Sequence, residues 1–524
     1  MNTDRTPVPH LGIYPCSSVL SVVKKFLSAA LLTCASLAIA RAAEFPFAEA
    51  TIDDLQAHMA AGTLTSRELT AAYLARIAEI DKAGPKLNAV IELNPEALAI
   101  ADTLDAERKA GRVRGPLHGI PILIKDNIAT ADKMETTAGS LALVGLKPPR
   151  DAHLVTQLRE AGAIILGKTN LSEWANFRGD RSISGWSGRG GQTRNPYVLD
   201  RSPSGSSSGS AAAVAANLCV AAIGTETNGS IISPALACGV VGLKPTVGAV
   251  SRSGVIPIAA AFDTAGPITR TVRDAALVLA ALAGTDARDA VTQDLPADFA
   301  EKLAAAWPAG ALRGARLGVM GAPGSARTAN KTFSAALETL RAAGAELIDV
   351  GEAPGLENSS GARIDVMLYE MKTGINAYLA ELGPDVPIKT LADVIKFNDE
   401  HWAKEQPLFG QQYFARTQAK GPLTEPAYIE ALEKCRRVSR TEGIDALLEQ
   451  HRLDALIGGG PTLAAMAGYP SVTVPLAPVA EMPAGLLFFG RAWSEAKLLA
   501  LAADFEARTR GRREPKFLPT VSAP

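Results

Sequence analysis

Serine, glycine and alanine dominate one short stretch of this sequence, and that stretch constrains the fold more than any other feature. Residues 204–210 read Ser-Gly-Ser-Ser-Ser-Gly-Ser, and alanines follow directly. The small residues of 210–216 predict a helix, whereas the apolar run 218–223 predicts a short buried strand. A second glycine-serine turn, 225–230, comes next. A Ser/Gly-rich surface linker has a similar composition, but a linker is not normally followed at once by a helix, a buried strand and another turn.

The end of this second turn has the residues of a binding site for negative charge. Its Asn228-Gly229 step turns tightly, so the consecutive N–H groups of Thr227, Asn228, Gly229 and Ser230 can converge on one point. A serine nucleophile needs such donors, because its attack on a carbonyl creates an oxyanion. The predicted helix adds free N–H groups at its start, which favour negative charge. The pattern therefore predicts a serine hydrolase with Ser230 as the nucleophile.

The base that would activate Ser230 has two kinds of candidate. The sequence has six histidines, none of which is set apart from an ordinary surface or core residue: His10, His58, His118, His153, His401 and His451. Lysine is the other candidate, since burial lowers the pKa of its amine and makes it neutral. Lys125 and Lys168 each end an apolar run that predicts a buried strand. Strand-end lysines also extend to water, so the residues alone leave both lysines open.

Several separated motifs occur in an order that resembles the amidase signature family: residues 119–127, 166–174, 204–210, 224–230 and 242–246. The resemblance covers residues 44–516. Within the family the sequence is most similar to the bacterial peptide amidases, through residues 172–179, 184–186, 189–197 and 485–490. The resemblance implies an α/β protein with the amidase signature fold, in which helices cover a large mixed central β-sheet.

The same resemblance implies a Ser-cisSer-Lys triad at Lys125, Ser206 and Ser230, and it makes Lys168 a structural residue. In the family, a cis peptide bond that does not involve proline precedes the middle serine, which is Ser206 here. Neutral Lys125 would take a proton from Ser206, which takes one from Ser230. The chemistry uses neither a metal ion nor an organic cofactor. The implied oxyanion and substrate-binding residues are Thr227, Asn228, Gly229 and Ser207.

The sequence departs from the commoner family pattern at several positions near this triad. Ser204 and Ser208 replace glycines, Glu226 replaces aspartate and Asn228 replaces glycine, as in the peptide-amidase subgroup. Segment 458–467 is shorter than in that subgroup, where a longer loop lies near the active site. We therefore expect a more open pocket, altered specificity or weaker activity. The expected pocket wall comprises Trp174, Asn176, Phe177 and Arg178.

The resemblance implies a serine amidohydrolase that cleaves carboxamide C–N bonds. The expected substrates are the C-terminal amides of peptides, which yield an acid and ammonia through an acyl-Ser230 intermediate. Two other functions stay open: a broad hydrolase of aryl or amino-acid amides and esters, and a non-catalytic protein that binds amides. The expected partner is a small-molecule or peptide amide, and the sequence carries no signal for an oligomeric state.

Composition fits a globular enzyme and gives no support to a nucleic-acid-binding role. The chain has 524 residues, 47% of them apolar, and a formal net charge of −1, so it can bury a large core without an excess of positive charge. Helix and strand patterns alternate along the chain, which indicates α/β layers. No linker-like segment interrupts residues 44–524, so we expect a single amidase domain there.

Particular segments carry this alternation. Capping boxes at Thr51–Asp54 and Thr65–Glu68 predict two helix starts. The predicted helices elsewhere are 151–161, 331–343 and one from Ser494, and the predicted strands are 163–166, 345–350, 453–457, 471–475 and 484–490.

The first 43 residues predict an extension followed by a cleavable secretory signal. Two lysines at 24–25 precede the apolar run 26–40, and residues 40–42 supply the small side chains of a cleavage site. About fifteen apolar residues are fewer than the roughly twenty that span a membrane, so we expect no stable insertion after cleavage. The expected location is periplasmic or secreted. The cysteines beyond the signal are expected to be core thiols without a disulfide: Cys219, Cys238 and Cys435.

Overall fold

A mixed sheet of eleven strands forms the centre of the part of the protein that the computed structural model describes, residues 45–305, 307, 309–321, 330–479 and 481–521. The strands in chain order are β1 (Val90–Leu93), β2 (Pro121–Lys125), β3 (Ile164–Thr169), β4 (Trp186–Ser187), β5 (Gly191–Gln192), β6 (Ala221–Glu226), β7 (Val241–Lys244), β8 (Thr264–Thr269), β9 (Arg316–Met320), β10 (Glu346–Gly351), β11 (Ala455–Gly458), β12 (Ser471–Val479) and β13 (Met482–Phe489). Strands β4 and β5 pair only with each other in the described residues, and the others follow the spatial order β1-β3-β2-β6-β8-β7-β12-β13-β11-β9-β10.

The edge of the sheet that matters for function lies where β2 and β6 end. Strand β2 runs between β3 and β6 and is parallel to both, with Lys125 opposite Thr169 and Ile124 opposite Ile223. The carboxyl ends of parallel strands meet at one edge, which is where α/β proteins place their sites. Lys125, the last residue of β2, therefore lies beside the end of β6. All residues of the three strands are buried, which explains their apolar sequences.

Helices pack against this sheet and against one another. Both predicted capping boxes are present, because the Thr51 and Thr65 side chains accept from the backbone three residues on and the acidic side chains there bind back. The α-helices are α1 (Ile52–Ala60), α2 (Ser66–Arg76), α3 (Ala97–Lys109), α4 (His153–Glu160), α5 (Ser208–Ala215), α6 (Ile232–Ala237), α7 (Val272–Leu282), α8 (Phe299–Ala304), α9 (Lys331–Ala342), α10 (Ser360–Glu381), α11 (Leu391–Glu400), α12 (Trp402–Glu405), α13 (Gln412–Gln418), α14 (Pro426–Arg436), α15 (Asp445–Gln450), α16 (Thr462–Ala467) and α17 (Glu495–Thr509).

Most predicted elements are present, but two boundaries near the serine cluster are wrong. Helix α5 begins at Ser208 rather than at 210, and β6 begins at Ala221 rather than at 218 and continues to Glu226. Asn217 has a left-handed backbone with φ 57°, so the chain turns between the helix and the strand. Thr225 and Glu226 consequently pair with β8 and do not belong to the turn.

Residues from Glu49 onward form one compact unit. Within it, α10, α11, α13 and α14 build an apolar cluster together with Trp174 and Phe177. The three cysteines of the described residues are free and buried, as predicted. None of the helices in the described ranges combines the length and the apolar character that a membrane crossing requires. The predicted secretory signal lies outside the described residues.

Candidate active site

Lys125 occupies a fully buried position at the end of β2. Its Nζ lies 2.7 Å from Ser206 Oγ, 2.9 Å from Thr225 Oγ1 and 3.3 Å from the Thr225 carbonyl oxygen. Burial lowers the pKa of this amine to about 7, although the nearby charges of Asp263 and Glu226 act in the opposite direction. A large share of the lysine is therefore neutral near pH 7, and a neutral amine has a lone pair that can accept a proton.

The serine cluster is tied to β6 and to the following turn. The Gly205–Ser206 peptide bond is cis. The N–H of Ser207 donates to the Ser230 carbonyl at 3.1 Å, and its hydroxyl donates to the Thr225 carbonyl at 3.1 Å. Both donors of Ser207 are thus used inside the protein, so this residue positions Ser230 and Thr225 and has no donor left for a substrate.

The turn that carries Ser230 presents unpaired backbone donors. Within the described residues, the N–H groups of 227–230 make no hydrogen bond, whereas those of Ile231 and Ile232 donate to Glu226 Oε2 at 2.8 and 3.0 Å. Glu226 thereby closes the turn just beyond Ser230. Ser230 is partly exposed. Four successive free N–H groups at a partly exposed serine make a suitable site for an oxyanion.

Gly229 lets this turn pass close to two neighbouring side chains. Its φ is +86°, and a Cβ at this position would lie 2.9 Å from Ser233 Oγ and 3.0 Å from Pro461 Cγ. Any larger residue would therefore meet both a steric and a conformational penalty. Pro461 belongs to segment 458–467, which places that segment directly against the turn.

Asp263 holds the turn from the other side, and sequence reasoning did not identify it. The Thr227 hydroxyl donates to one oxygen of Asp263, and the N–H groups of Ile258 and Ala259 donate to the other at 2.8 and 2.9 Å. Burial raises the pKa of Asp263 to about 6. The residue precedes β8 in an ordinary polar-apolar sequence, which gave no sign of this role.

Lys168, the other lysine that the sequence left open, lies in a different environment. Its Nζ donates to the Ile128 carbonyl at 2.6 Å and to Thr136 Oγ1 at 2.8 Å. Burial lowers its pKa to about 8, but neither partner is a serine. Through these two contacts Lys168 joins β3 to the segment after β2.

Residues 162–169 match the spacing of a phosphate-binding loop. Residues 164–169, however, form the buried strand β3 and not a loop.

A cavity of about 290 Å³ opens beside Thr225 and Thr227. Its other walls are the loop 252–258, Asp263 and one face of α10. The arginines at its rim are paired, Arg150 with Glu381 at 2.6 Å and Arg252 with Asp289 at 2.5 Å. The cavity is small and its charges are largely balanced, which suits an uncharged amide group better than an ionic ligand.

None of the four residues predicted for the pocket wall, Trp174, Asn176, Phe177 and Arg178, lines this cavity. Trp174 packs edge-on against Phe414 at 5.4 Å between ring centroids, and Phe177 stacks on Tyr413 at 4.6 Å. Arg178 is fully buried and ion-paired with Glu173 and Glu405, while the Asn176 amide donates to Ser184 Oγ. Left-handed backbone at 174–176 lets these side chains enter the helical cluster, and of this run Ala175 lines the cavity.

Comparisons with known proteins identify the family of this chain. The family described as "Amidase" matches residues 68–499. A probable amidase of Arabidopsis thaliana is 42% identical over 90% of this chain and 93% of its own length. The native peptide amidase of Stenotrophomonas maltophilia superposes with a TM-score of 0.86 and is 52% identical, over 90% of this chain and 99% of that structure.

An amidase family protein of Bacillus anthracis str. Ames gives a TM-score of 0.82 at 36% identity, over 89% of this chain and 92% of that one. The span of the family match, residues 68–499, contains every strand of the described sheet, the serine cluster, both lysines and the Ser230 turn. The chain therefore belongs to the amidase family, with the amidase signature fold, and is a hydrolase of amide bonds.

Proposed function

We propose that this protein hydrolyses the C-terminal carboxamide of peptides to an acid and ammonia, through an acyl-Ser230 intermediate. The observation that carries the proposal is the buried Lys125 amine, 2.7 Å from Ser206 Oγ and with a pKa near 7. The N–H of the next residue, Ser207, donates to the Ser230 carbonyl, so the candidate base and nucleophile share one hydrogen-bonded unit. The similarity of the whole chain to a peptide amidase supports the choice of substrate.

Acylation starts from neutral Lys125. The Ser206 hydroxyl gives its proton to Nζ and takes the proton of Ser230, whose Oγ attacks the carboxamide carbon. Before this transfer, the two hydrogens of the neutral amine face Thr225 O and Thr225 Oγ1, so its lone pair points toward Ser206. The N–H groups of 227–230 bind the oxygen that becomes negative in the tetrahedral intermediate.

Collapse of this intermediate breaks the C–N bond and releases ammonia. The proton held by Lys125 returns through Ser206 to the departing nitrogen, so no amide anion has to leave. A water molecule then gives a proton to the same relay and attacks the acyl-Ser230 ester. The second collapse returns that proton to Ser230 Oγ and frees the carboxylic acid. Lys125 ends neutral, as it began.

Ammonia release tests the substrate class. We expect turnover of peptide amides, with slower turnover of free amino-acid amides and aryl amides. Equal rates on all three classes would favour the broad hydrolase. A fluorophosphonate probe should label the protein at Ser230, with the Ser230→Ala variant as the control. Absence of labelling together with amide binding would instead identify a non-catalytic binding protein.

We also propose a periplasmic or secreted location for the mature chain. The proposal rests on the charged, apolar and small-residue zones within residues 24–42. N-terminal sequencing of the protein purified from its native cells is the direct test. A start near residue 44 supports export, and a start that retains the apolar run contradicts it.

A further inference from the structure

Two buried polar atoms face the cavity without an internal partner. Asn127 and Tyr378 both line it, and they are 2% and 8% exposed. Among the described residues, neither Asn127 Oδ1 nor the Tyr378 hydroxyl has a hydrogen-bond partner. Buried polar groups are nearly always paired, and one of these is an acceptor while the other has a hydrogen to donate. The pair therefore indicates what kind of ligand completes the cavity.

The Asn127 amide is held in a fixed direction by its other end. Its Nδ2 donates to Thr225 Oγ1 at 3.0 Å, and the same Oγ1 accepts from Lys125 Nζ at 2.9 Å. Thr225 Oγ1 thus receives both donors, and Oδ1 of Asn127 is left for a donor from the cavity. Two hydrogen bonds that meet at Thr225 Oγ1 thus connect the Asn127 amide with the candidate base.

The Tyr378 hydroxyl comes from α10, which forms the opposite side of the cavity. Gly374, one turn earlier, lies against Pro257, where a Cβ would be 2.8 Å from Pro257 Cγ, so the helix approaches the loop closely. Glu381, the nearest carboxylate along the helix, is paired with Arg150 at the rim. Burial raises the pKa of the phenol, so its proton stays available for donation.

We infer that Asn127 and Tyr378 form a subsite for one backbone amide of the substrate, with Asn127 Oδ1 accepting its N–H and the Tyr378 hydroxyl donating to its carbonyl. This inference rests on the proposed function and deepens it. The scissile carboxamide already has its own partners, the free N–H groups of 227–230 and the proton relay. A second amide group exists in an N-acylated amino-acid amide and is missing from an aryl amide, so the subsite would select peptide amides.

Matched substrates test the N–H contact without any variant. N-acetyl-L-alaninamide and O-acetyl-L-lactamide differ only in the replacement of the backbone N–H by an ester oxygen. We expect the wild type to favour the first about tenfold in kcat/KM, because the ester leaves the buried Asn127 oxygen unpaired. In Asn127→Ala this ratio should fall to about one. Taking the ratio within each protein removes the general loss of turnover that the altered Thr225 contact would cause.

The carbonyl contact is tested with Tyr378→Phe, which removes only the hydroxyl. We expect the kcat/KM ratio of N-acetyl-L-alaninamide to benzamide to fall about tenfold. Tyr428→Phe is the matched control, because Tyr428 is also 8% exposed, does not line the cavity and donates to Glu370 at 2.6 Å. That variant should keep the wild-type ratio.

The outcomes separate this inference from the proposed function. If the wild type releases ammonia from peptide amides but shows the same kcat/KM for the two matched substrates, the subsite is wrong and the amidase function stands. An equal fall of the ratio in Tyr378→Phe and Tyr428→Phe also overturns it. If no amide is hydrolysed and Ser230 is not labelled, the proposed function itself fails.

Discussion

A lysine acts as a base only where its amine is neutral, but burial alone does not identify which lysine does so. Lys125, Lys168 and Lys244 are all fully buried, and burial lowers their pKa values to about 7, 8 and 8. Lys168 and Lys244 donate to backbone carbonyls, whereas Lys125 contacts a serine hydroxyl. The contact with Ser206, and not the shifted pKa, is therefore what distinguishes the candidate base.

The pKa of Lys125 predicts an acid limb in the pH–rate profile. The working form is neutral, so kcat/KM should fall as pH decreases through about 7 and the amine becomes protonated. Stopped assays of ammonia release from pH 5 to pH 9 would measure the limb. Asp263→Asn should move it to lower pH, because the charge of Asp263 raises the pKa of Lys125. A limb that persists unchanged in the residual activity of Lys125→Ala would assign it to another group.

Substitutions of Lys125 and of Lys168 should affect different properties of the protein. We expect Lys125→Ala to lower kcat about 100-fold to 10,000-fold, the usual contribution of a general base. Ser206→Ala should lose less, because a water molecule can partly bridge the missing hydroxyl. Lys168→Ala should mainly lower thermal stability, since its bonds join structural segments. Comparable losses of kcat in folded Lys125→Ala and Lys168→Ala would refute the assignment.

Sequence reasoning reached the candidate triad because Lys125, Ser206 and Ser230 each lie in a recognisable local motif. Asp263 and Tyr378 have no such motif, and they come to the site only through tertiary packing of the loop before β8 and of α10. Asn127 lay inside a motif, but its spatial relation to Thr225 depends on the pairing of β2 with β6. Candidate side chains in local motifs could therefore be named from the sequence, whereas the cavity wall could not.

At the level of elements, the turn after β6 is supported by residues from three parts of the chain. Glu226 binds the N–H groups beyond Ser230, Asp263 accepts the Thr227 hydroxyl, and Pro461 lies against Gly229. The turn itself has no internal hydrogen bonds through its 227–230 N–H groups within the described residues. Its shape is consequently imposed by these neighbours, which leaves the N–H groups free for an oxyanion.

Gly229→Ala should damage the turn selectively. The added Cβ would collide with Ser233 and Pro461 at a φ of +86°, and displacement of even one oxyanion donor costs about 100-fold to 1000-fold in kcat. Gly460→Ala is the control, because a Cβ there has no neighbour within 4 Å. Steady-state kinetics of both variants on one peptide amide would measure the two kcat values. A Gly229→Ala enzyme with wild-type kcat would show that this turn does not bind the oxyanion.

Segment 458–467, which the sequence resemblance implies is shorter than in the peptide amidases, predicts weak substrate binding. Pro461 places the segment at the edge of the Ser230 turn, where the longer loop of the peptide amidases would enclose a peptide. We expect a high KM on short peptide amides with measurable kcat, because lost uniform binding raises KM more than it slows chemistry. Grafting a longer loop between 458 and 461 should lower KM. Tight binding of small peptide amides by the present chain would show that another segment closes the pocket.

At the scale of the whole molecule, we expect Glu506 to couple stability to pH. This partly buried carboxyl on α17 accepts from the Val272 N–H at the start of α7, and desolvation raises its pKa to about 8 from the ordinary 4.5. Between these pH values the folded state holds a proton that the unfolded state has lost, so stability falls as pH rises. Each tenfold change in an acid constant corresponds to about 1.4 kcal/mol, and the full effect is thus a few kcal/mol.

Glu506→Gln should remove this dependence. Urea unfolding of both proteins at pH 5 and pH 8.5 would show the wild type losing free energy of unfolding relative to the variant as pH rises. Lys497→Gln, at an exposed ion pair of the same helix, serves as the control. A constant difference between wild type and Glu506→Gln across this range would mean that Glu506 is ionised in the folded protein.

The alternation of helix and strand patterns predicted an α/β sheet, and the family resemblance predicted that it is large and mixed. The order of its strands could not be deduced, because strands that are adjacent in space are often distant in sequence. Strand β7 pairs with β12 across more than 200 intervening residues. Such a pairing depends on the packing of whole layers, which periodicity in a single segment does not report.

The pairing of β7 with β12 sets the order in which this enzyme can become active during its synthesis. The chain leaves the ribosome with Lys125, Ser206 and Ser230 already present at residue 230, less than half of the sequence. Pro461, which closes one side of the Ser230 turn, and β12, which joins the two halves of the sheet, follow only near the end. A truncated chain that ends before Pro461 therefore carries all three candidate catalytic side chains but lacks part of the wall that supports the turn. We therefore expect a chain truncated before Pro461 to show no hydrolysis, because the Ser230 turn then lacks one of its supports.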